Sequence, residues 1–208
     1  EFVGTDAISI SKLFDDFVTN PVSVIFAHTI FMAINYFIIA SGVKGLEKAV
    51  RFLMPGLLLL LFILFLYSLT SGSFMDGVKF MFTPNFNALN WDGVLTAMGL
   101  ACFTLSIGMG AIMAYGAYLP QETSITNATV SVVIADTGIA MLAGLVIFPL
   151  VFANGLNPGE GPDLVFKTLP LVFGQMQVGT FLATIFFVLL SFAALTSALG
   201  LMEPAVAW

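Results

Sequence analysis

Asp136 and Glu203 lie inside long apolar runs of the sequence. A charge held at mid-bilayer costs about 2.5–3.5 kcal/mol even on lenient insertion scales, so such a residue normally faces a cavity, an ion or a partner. No Lys or Arg lies deep in the runs to pair with Asp136, which is therefore expected to hold a cation or a proton. Glu203 stands one residue before Pro204, near the end of its run, and is expected in a polar network or gate. In "SFAALTSALGLMEP" (191–204), Ala193, Thr196 and Ser197 are spaced i, i+3, i+4 and share one helix face. Two hydroxyls and the Ala193 carbonyl offer oxygen to a small hard cation. The same small residues also suit close helix packing, and spacing alone leaves both readings open.

A second stretch, "FTLSIGMGAIMAYGAYLP" (103–120), sets Thr104 and Ser106 just before Gly108-Met109-Gly110. Each glycine weakens a helix by about 1 kcal/mol relative to alanine. A break here frees backbone N–H and C=O groups at mid-depth, which is tolerated only where the backbone lines a cavity. Broken helices of this kind form substrate and ion sites in secondary transporters: the new helix N-terminus meets a carboxylate, and unwound carbonyls meet Na⁺. Close helix contact through small residues is the competing reading. A broken helix is expected over 104–111.

The elements that must position these residues follow from composition. The chain of 208 residues is 59% hydrophobic and 9% charged, with a mean hydropathy of +1.05, whereas soluble domains are about a quarter charged. Five apolar runs are long enough to span a bilayer core of about 30 Å. They cover roughly 21–43, 47–71, 91–119, 126–154 and 179–208. The runs are continuous, so they are helices. The expected fold is an all-α polytopic membrane protein with one transmembrane domain over 1–208. Cys102 and His28 are each the sole residue of their type and both sit in spans, which gives no disulfide framework and no metal pattern. No paired nucleophile and base, phosphate loop or basic face is present, so neither an enzyme nor a nucleic-acid binder is expected. The chain starts at Glu1 and ends at Trp208 inside an apolar run, and reads as the middle of a longer membrane protein.

Three of the six basic residues, Lys44, Lys48 and Arg51, fall in the linker "KGLEKAVR", which should be cytoplasmic. Segments 1–20, 72–90 and 155–178 are then external. Gly45 and Pro55 flank the base of the second span, and Pro55 removes a helix hydrogen bond. They mark either an ordinary helix start or an end that unwinds to admit water. Segment 155–178 opens on Asn157-Pro158-Gly159 and Gly161-Pro162, then continues as "DLVFKTLPLVF", whose helical apolar spacing is expected to break at Pro170. An Asp163 cap on that pattern predicts a short re-entrant, lid-like hairpin.

"FTLSIGMGAIMAYGAY" resembles the sixth transmembrane segment of the neurotransmitter:sodium symporters, above all their bacterial amino-acid transporters, and "FAALTSALGLMEP" resembles the eighth. The spacing of Gly45 and Pro55 is similar to a motif at the base of their fifth segment. The resemblance implies a fragment, segments four to eight, of a twelve-helix inverted-repeat fold. It implies that Thr104 and Asp136 belong to a first sodium site, where Asp136 replaces an asparagine, and that Ala193, Thr196 and Ser197 belong to a second. Phe103 matches an aromatic lid over the substrate. Thr104, Ser106, Gly108, Met109, Gly110, Ser197 and Leu201 match the substrate pocket, and Gly45, Pro55 and Glu203 take gating roles. Segment 155–178 matches the external loop that closes the outer vestibule.

Several positions depart from the family pattern. Ala140 stands where animal members carry a chloride-binding serine, so no chloride requirement is expected, with Asp136 supplying the negative charge. Leu100 replaces a glutamine at the outer gate, and Met109 replaces a frequent phenylalanine, which suits a roomy pocket for apolar or aromatic amino acids. The implied function is sodium-coupled symport of such amino acids by alternating access, in the plasma (inner) membrane. A proton-coupled carrier of the same fold and a non-transporting membrane subunit are the alternatives.

Overall fold

The structure is a computed structural model that describes residues 7–70, 72–86, 89–155, 163–176 and 178–207. The described residues form α1 (Ala7–Thr19), α2 (Pro21–Ile39), α3 (Gly42–Leu69), α4 (Phe74–Phe82) and α5 (Trp91–Thr104). They continue with α6 (Ala111–Ala117), α7 (Ile125–Ala153), a π-turn (Leu164–Thr168), α8 (Leu169–Gly174) and α9 (Gly179–Ala207). Four helices among the described residues are long and apolar enough to cross a membrane: all of α2, α3 from Lys44, all of α7, and α9 to Val206.

Local chemistry sets several starts. Asn20 caps α2 by accepting from the Val22 and Ser23 amides at 3.1 and 3.4 Å, and Pro21 follows in the first turn, where its missing N–H costs nothing. Asn90 caps α5 through the Gly93 amide at 2.7 Å, and Ser124 caps α7 through the Asn127 amide at 3.4 Å.

The expected span at 91–119 is the broken one. α5 stops at Thr104 and α6 begins at Ala111. Between them Ser106, Gly108 and Gly110 take φ of 54°, 88° and 79°. That is left-handed backbone, which glycine enters freely and serine does not.

The second span starts earlier than its apolar run. "KGLEKAVR" is not a linker but the first turns of α3, closed by an Arg51–Glu47 ion pair of 2.6 Å. Gly45 is required there by packing: a Cβ would stand 2.5 Å from the Ile38 carbonyl oxygen and from Ser41 Cβ. The segments expected to be external hold helices that hydropathy did not foresee, α1 in the first and α4 in the second. Both are shorter than a span.

The turn at Asn157-Pro158-Gly159 and Gly161-Pro162 lies outside the described residues. The Asp163 cap is not formed. Its carboxylate pairs instead with Lys167 at 3.3 Å, and Lys167 reaches Asp15 of α1 at 3.0 Å. Pro170 does not break the helical pattern but sits in the first turn of α8, after a wide turn in which Leu169 N–H donates to the Leu164 carbonyl.

The core lies where α3, α7, α8 and α9 meet. Leu64, Leu150, Val172, Phe173, Leu182 and Phe186 are buried there. Ser68 donates to the Leu145 carbonyl at 2.8 Å, tying α3 to α7. α4 packs on α7 through Gly77, where a Cβ would meet the Pro149 ring at 2.5 Å.

Candidate functional site

Three residues of the break adopt left-handed φ, so the backbone turns away from helical hydrogen bonding over 105–110. The Ile107 amide donates back to the Cys102 carbonyl at 2.8 Å, a wide turn that ends α5. α6 then starts at Ala111, after Gly110, without a side-chain cap. Phe103 is 71% exposed at the end of α5. Thr104 is exposed too, and its hydroxyl donates to the Ala101 carbonyl at 3.3 Å. Ser106 and Gly110 are half-buried, and Gly108 and Met109 are exposed.

On α9 the expected cation oxygens stand together. The Thr196 hydroxyl lies 2.9 Å from the Ala193 carbonyl oxygen and 3.1 Å from that of Phe192, donating to both. The neighbouring Ser197 is exposed. Such a hydroxyl keeps its lone pairs for a cation. α3 presses on this turn: a Cβ at Gly56, the residue after Pro55, would stand 3.2 Å from the Phe192 ring. Pro55 is thus adjacent to the contact that holds the Thr196 turn.

α6, rather than α5, packs against α9. Gly200 leaves room for Tyr115, whose hydroxyl oxygen would be 3.7 Å from a Cβ there. Tyr118 donates to Glu203 Oε1 at 2.9 Å. Glu203 is only 5% exposed, so this bond satisfies a carboxylate that water hardly reaches. Beside it a cleft of about 450 Å³ opens between the start of α3, α6 and α9, lined by Glu47, Arg51, Tyr115, Tyr118 and Glu203 among others. The gating candidate Glu203 is therefore brought to the end of α3 that contains Gly45. Tyr115 and Tyr118 escaped the sequence reading. Their trace was there, as two phenols three residues apart on one face of an apolar helix.

Asp136 is half-buried on α7 and makes no hydrogen bond or ion pair with a described residue. No described hydrogen bond joins Thr104, Asp136 and Ser197, and Leu201 is 49% exposed on α9. Two groups of the expected site residues thus lie close together, Ala193 with Thr196 on α9 and Glu203 with the end of α3 that carries Gly45. α5, which carries Phe103 and Thr104, has no buried residue.

Comparison with known proteins follows the same lines. The family profile described as "Sodium:neurotransmitter symporter family" matches residues 1–207. YhdH of Bacillus subtilis, described as an uncharacterized sodium-dependent transporter, is 41% identical over 205 residues, covering 98% of this chain and 46% of its own length. An uncharacterized sodium-dependent transporter of Haemophilus influenzae is 36% identical, over 88% of this chain and 40% of its own. The crystal structure of MhsT in complex with L-phenylalanine superposes with a TM-score of 0.82 at 43% identity, covering 93% of this chain and 44% of that one. The chain spans less than half the length of these relatives.

Proposed function

Because the chain belongs to the sodium:neurotransmitter symporter family, we propose that its parent protein is a sodium-coupled symporter of apolar or aromatic amino acids. The observation that carries this reading is the break between α5 and α6, with left-handed backbone at Ser106, Gly108 and Gly110. An unwound segment offers carbonyls to a cation, and the N-terminus of the helix after it favours a carboxylate. An amino acid bound there meets both. The L-phenylalanine held by MhsT supports an aromatic or apolar side chain.

In this reading Thr104 and Asp136 serve one sodium ion, and Ala193, Thr196 and Ser197 serve another. Phe103, Ser106, Gly108, Met109, Gly110 and Leu201 surround the substrate. Each site takes its remaining oxygens from parts of the parent protein outside this chain. The carboxylate of Asp136 takes the place of the chloride, so transport needs no chloride. Release runs inward. The start of α3 unwinds between Gly45 and Pro55, the Gly56–Phe192 contact loosens, and water reaches Thr196. Tyr118 and Glu203 hold the inner end shut until then. The protein does no covalent chemistry and works in the plasma (inner) membrane.

The test is uptake of labelled phenylalanine, tryptophan and leucine into proteoliposomes holding the full-length parent. Accumulation is expected when sodium is higher outside, and none when potassium replaces it. Accumulation driven by a proton gradient without sodium would replace this reading with the proton-coupled one.

A further inference from the structure

We propose that the inner end of α3 and the apolar face beneath it bind one anionic phospholipid. This stands apart from the transport reading and rests on the placement of charge along one helix. At 100° per residue, Lys44, Lys48 and Arg51 fall within an arc of about 60°. They line a cleft of about 180 Å³ together with Glu47. Glu47 is taken by Arg51 at 2.6 Å. Lys44 and Lys48 are exposed and make no hydrogen bond or ion pair with a described residue. Three cations against one acid leave a net positive cleft with two free ammonium groups.

The same face, widened to about 100°, continues down the helix as hydrocarbon. Leu58, Leu59, Phe62, Leu66 and Leu69 follow on this face, and all are exposed large side chains. At 1.5 Å per residue, Leu58 to Phe62 lie about 10–17 Å beyond Arg51. That is about the depth of one leaflet in a hydrocarbon core near 30 Å thick. A phosphodiester headgroup set on Lys44 and Lys48 would therefore lay its acyl chains along Leu58, Leu59 and Phe62. A soluble anion would use the cations and leave the apolar face unused. The occupant that uses both is amphipathic and negatively charged. Anionic lipids are concentrated on the cytoplasmic leaflet, the side to which these basic residues assign the end of α3.

The experiment uses the full-length parent, delipidated in detergent and titrated with phosphatidylglycerol or phosphatidylcholine of equal chain length, with bound lipid read by native mass spectrometry. Phosphatidylglycerol is expected to bind at about tenfold lower concentration than phosphatidylcholine. Lys44→Gln with Lys48→Gln should abolish that preference, and Lys12→Gln on α1 should keep it. Lys44→Arg with Lys48→Arg conserves charge and should also keep it, which covers the case where the neutral pair inserts poorly. Phe62→Ser should weaken phosphatidylglycerol binding about threefold with the cations intact. Equal binding of the two lipids overturns the proposal and leaves the basic residues as orientation signals. So does a loss of preference in Lys12→Gln, or displacement of the lipid by millimolar inorganic phosphate, which would make the site one for free anions.

Discussion

Tyr118 donates its phenolic hydrogen to Glu203 Oε1 across 2.9 Å, although 85 residues separate them. The bond joins α6 to α9 around a carboxylate that is 5% exposed. Tyr118→Phe removes the only described donor to that oxygen. An unmet buried acceptor costs about 1–3 kcal/mol. A lower Tm of the purified parent is expected for Tyr118→Phe and a smaller drop for Glu203→Gln, which still accepts. A Tm equal to wild type in Tyr118→Phe would show that the bond holds nothing shut.

Gly108 and Gly110 hold φ of 88° and 79°. An L-residue in that region costs about 1–2 kcal/mol. Gly110→Ala should therefore weaken amino-acid binding by about tenfold while leaving the protein folded. Wild-type affinity would mean that the break is not part of the substrate site.

Gly45→Ala puts a methyl carbon where Ile38 O and Ser41 Cβ already lie at 2.5 Å. Overpacking of this kind costs about 1–3 kcal/mol, to be read as a lower Tm. A Tm unchanged by the methyl would indicate that the α2–α3 corner is looser than described.

Lys167 is joined to Asp15 at 3.0 Å and to Asp163 at 3.3 Å, under a Phe14–Phe166 stack. Its hydrogen bond to Asp15, then that to Asp163, raises its pKa above the usual lysine value. A cation stabilised in the folded state contributes fully below the unfolded pKa and is lost as pH rises through the folded one. The link between α1 and the π-turn should thus hold through neutral pH and fail only above the ordinary lysine range, near pH 10.5. Hydrogen exchange over 163–174 should be faster in Lys167→Met at neutral pH. Equal exchange in mutant and wild type would show that Phe14 and Phe166 suffice.

The proposed role of Asp136, with Ala140 four residues on, predicts transport that needs no chloride. Uptake should be the same when gluconate replaces chloride. Asp136→Asn, which removes the carboxylate, should lower sodium affinity. A fall in wild-type uptake without chloride contradicts the role given to Asp136.

The broken helix was legible because glycine at 108 and 110 is costly in an apolar helix and cheap in left-handed backbone outside one. The shared face of Ala193 and Thr196 on α9 was legible from i, i+3 spacing, which leaves open whether it packs or binds. α1 and α4 were not, because helices of 13 and 9 residues are too short for a hydropathy reading tuned to spans. "KGLEKAVR" misled for the opposite reason: its charges suggested a linker, while the Glu47–Arg51 spacing and half-buried Leu46 and Val50 make it helix. The Asp163 cap failed because Lys167, four residues on, competes for the carboxylate. The Tyr118–Glu203 bond joins two helices far apart in sequence, and local spacing holds no record of which helices cross.

Sodium coupling is the central claim, and equilibrium binding tests it most directly. Labelled tryptophan and leucine would be bound to the purified full-length parent in sodium and in potassium, at constant ionic strength and pH. Binding is expected in sodium alone, with a loss on Asp136→Ala and on Thr196→Ala. Equal binding in the two salts would contradict sodium coupling outright.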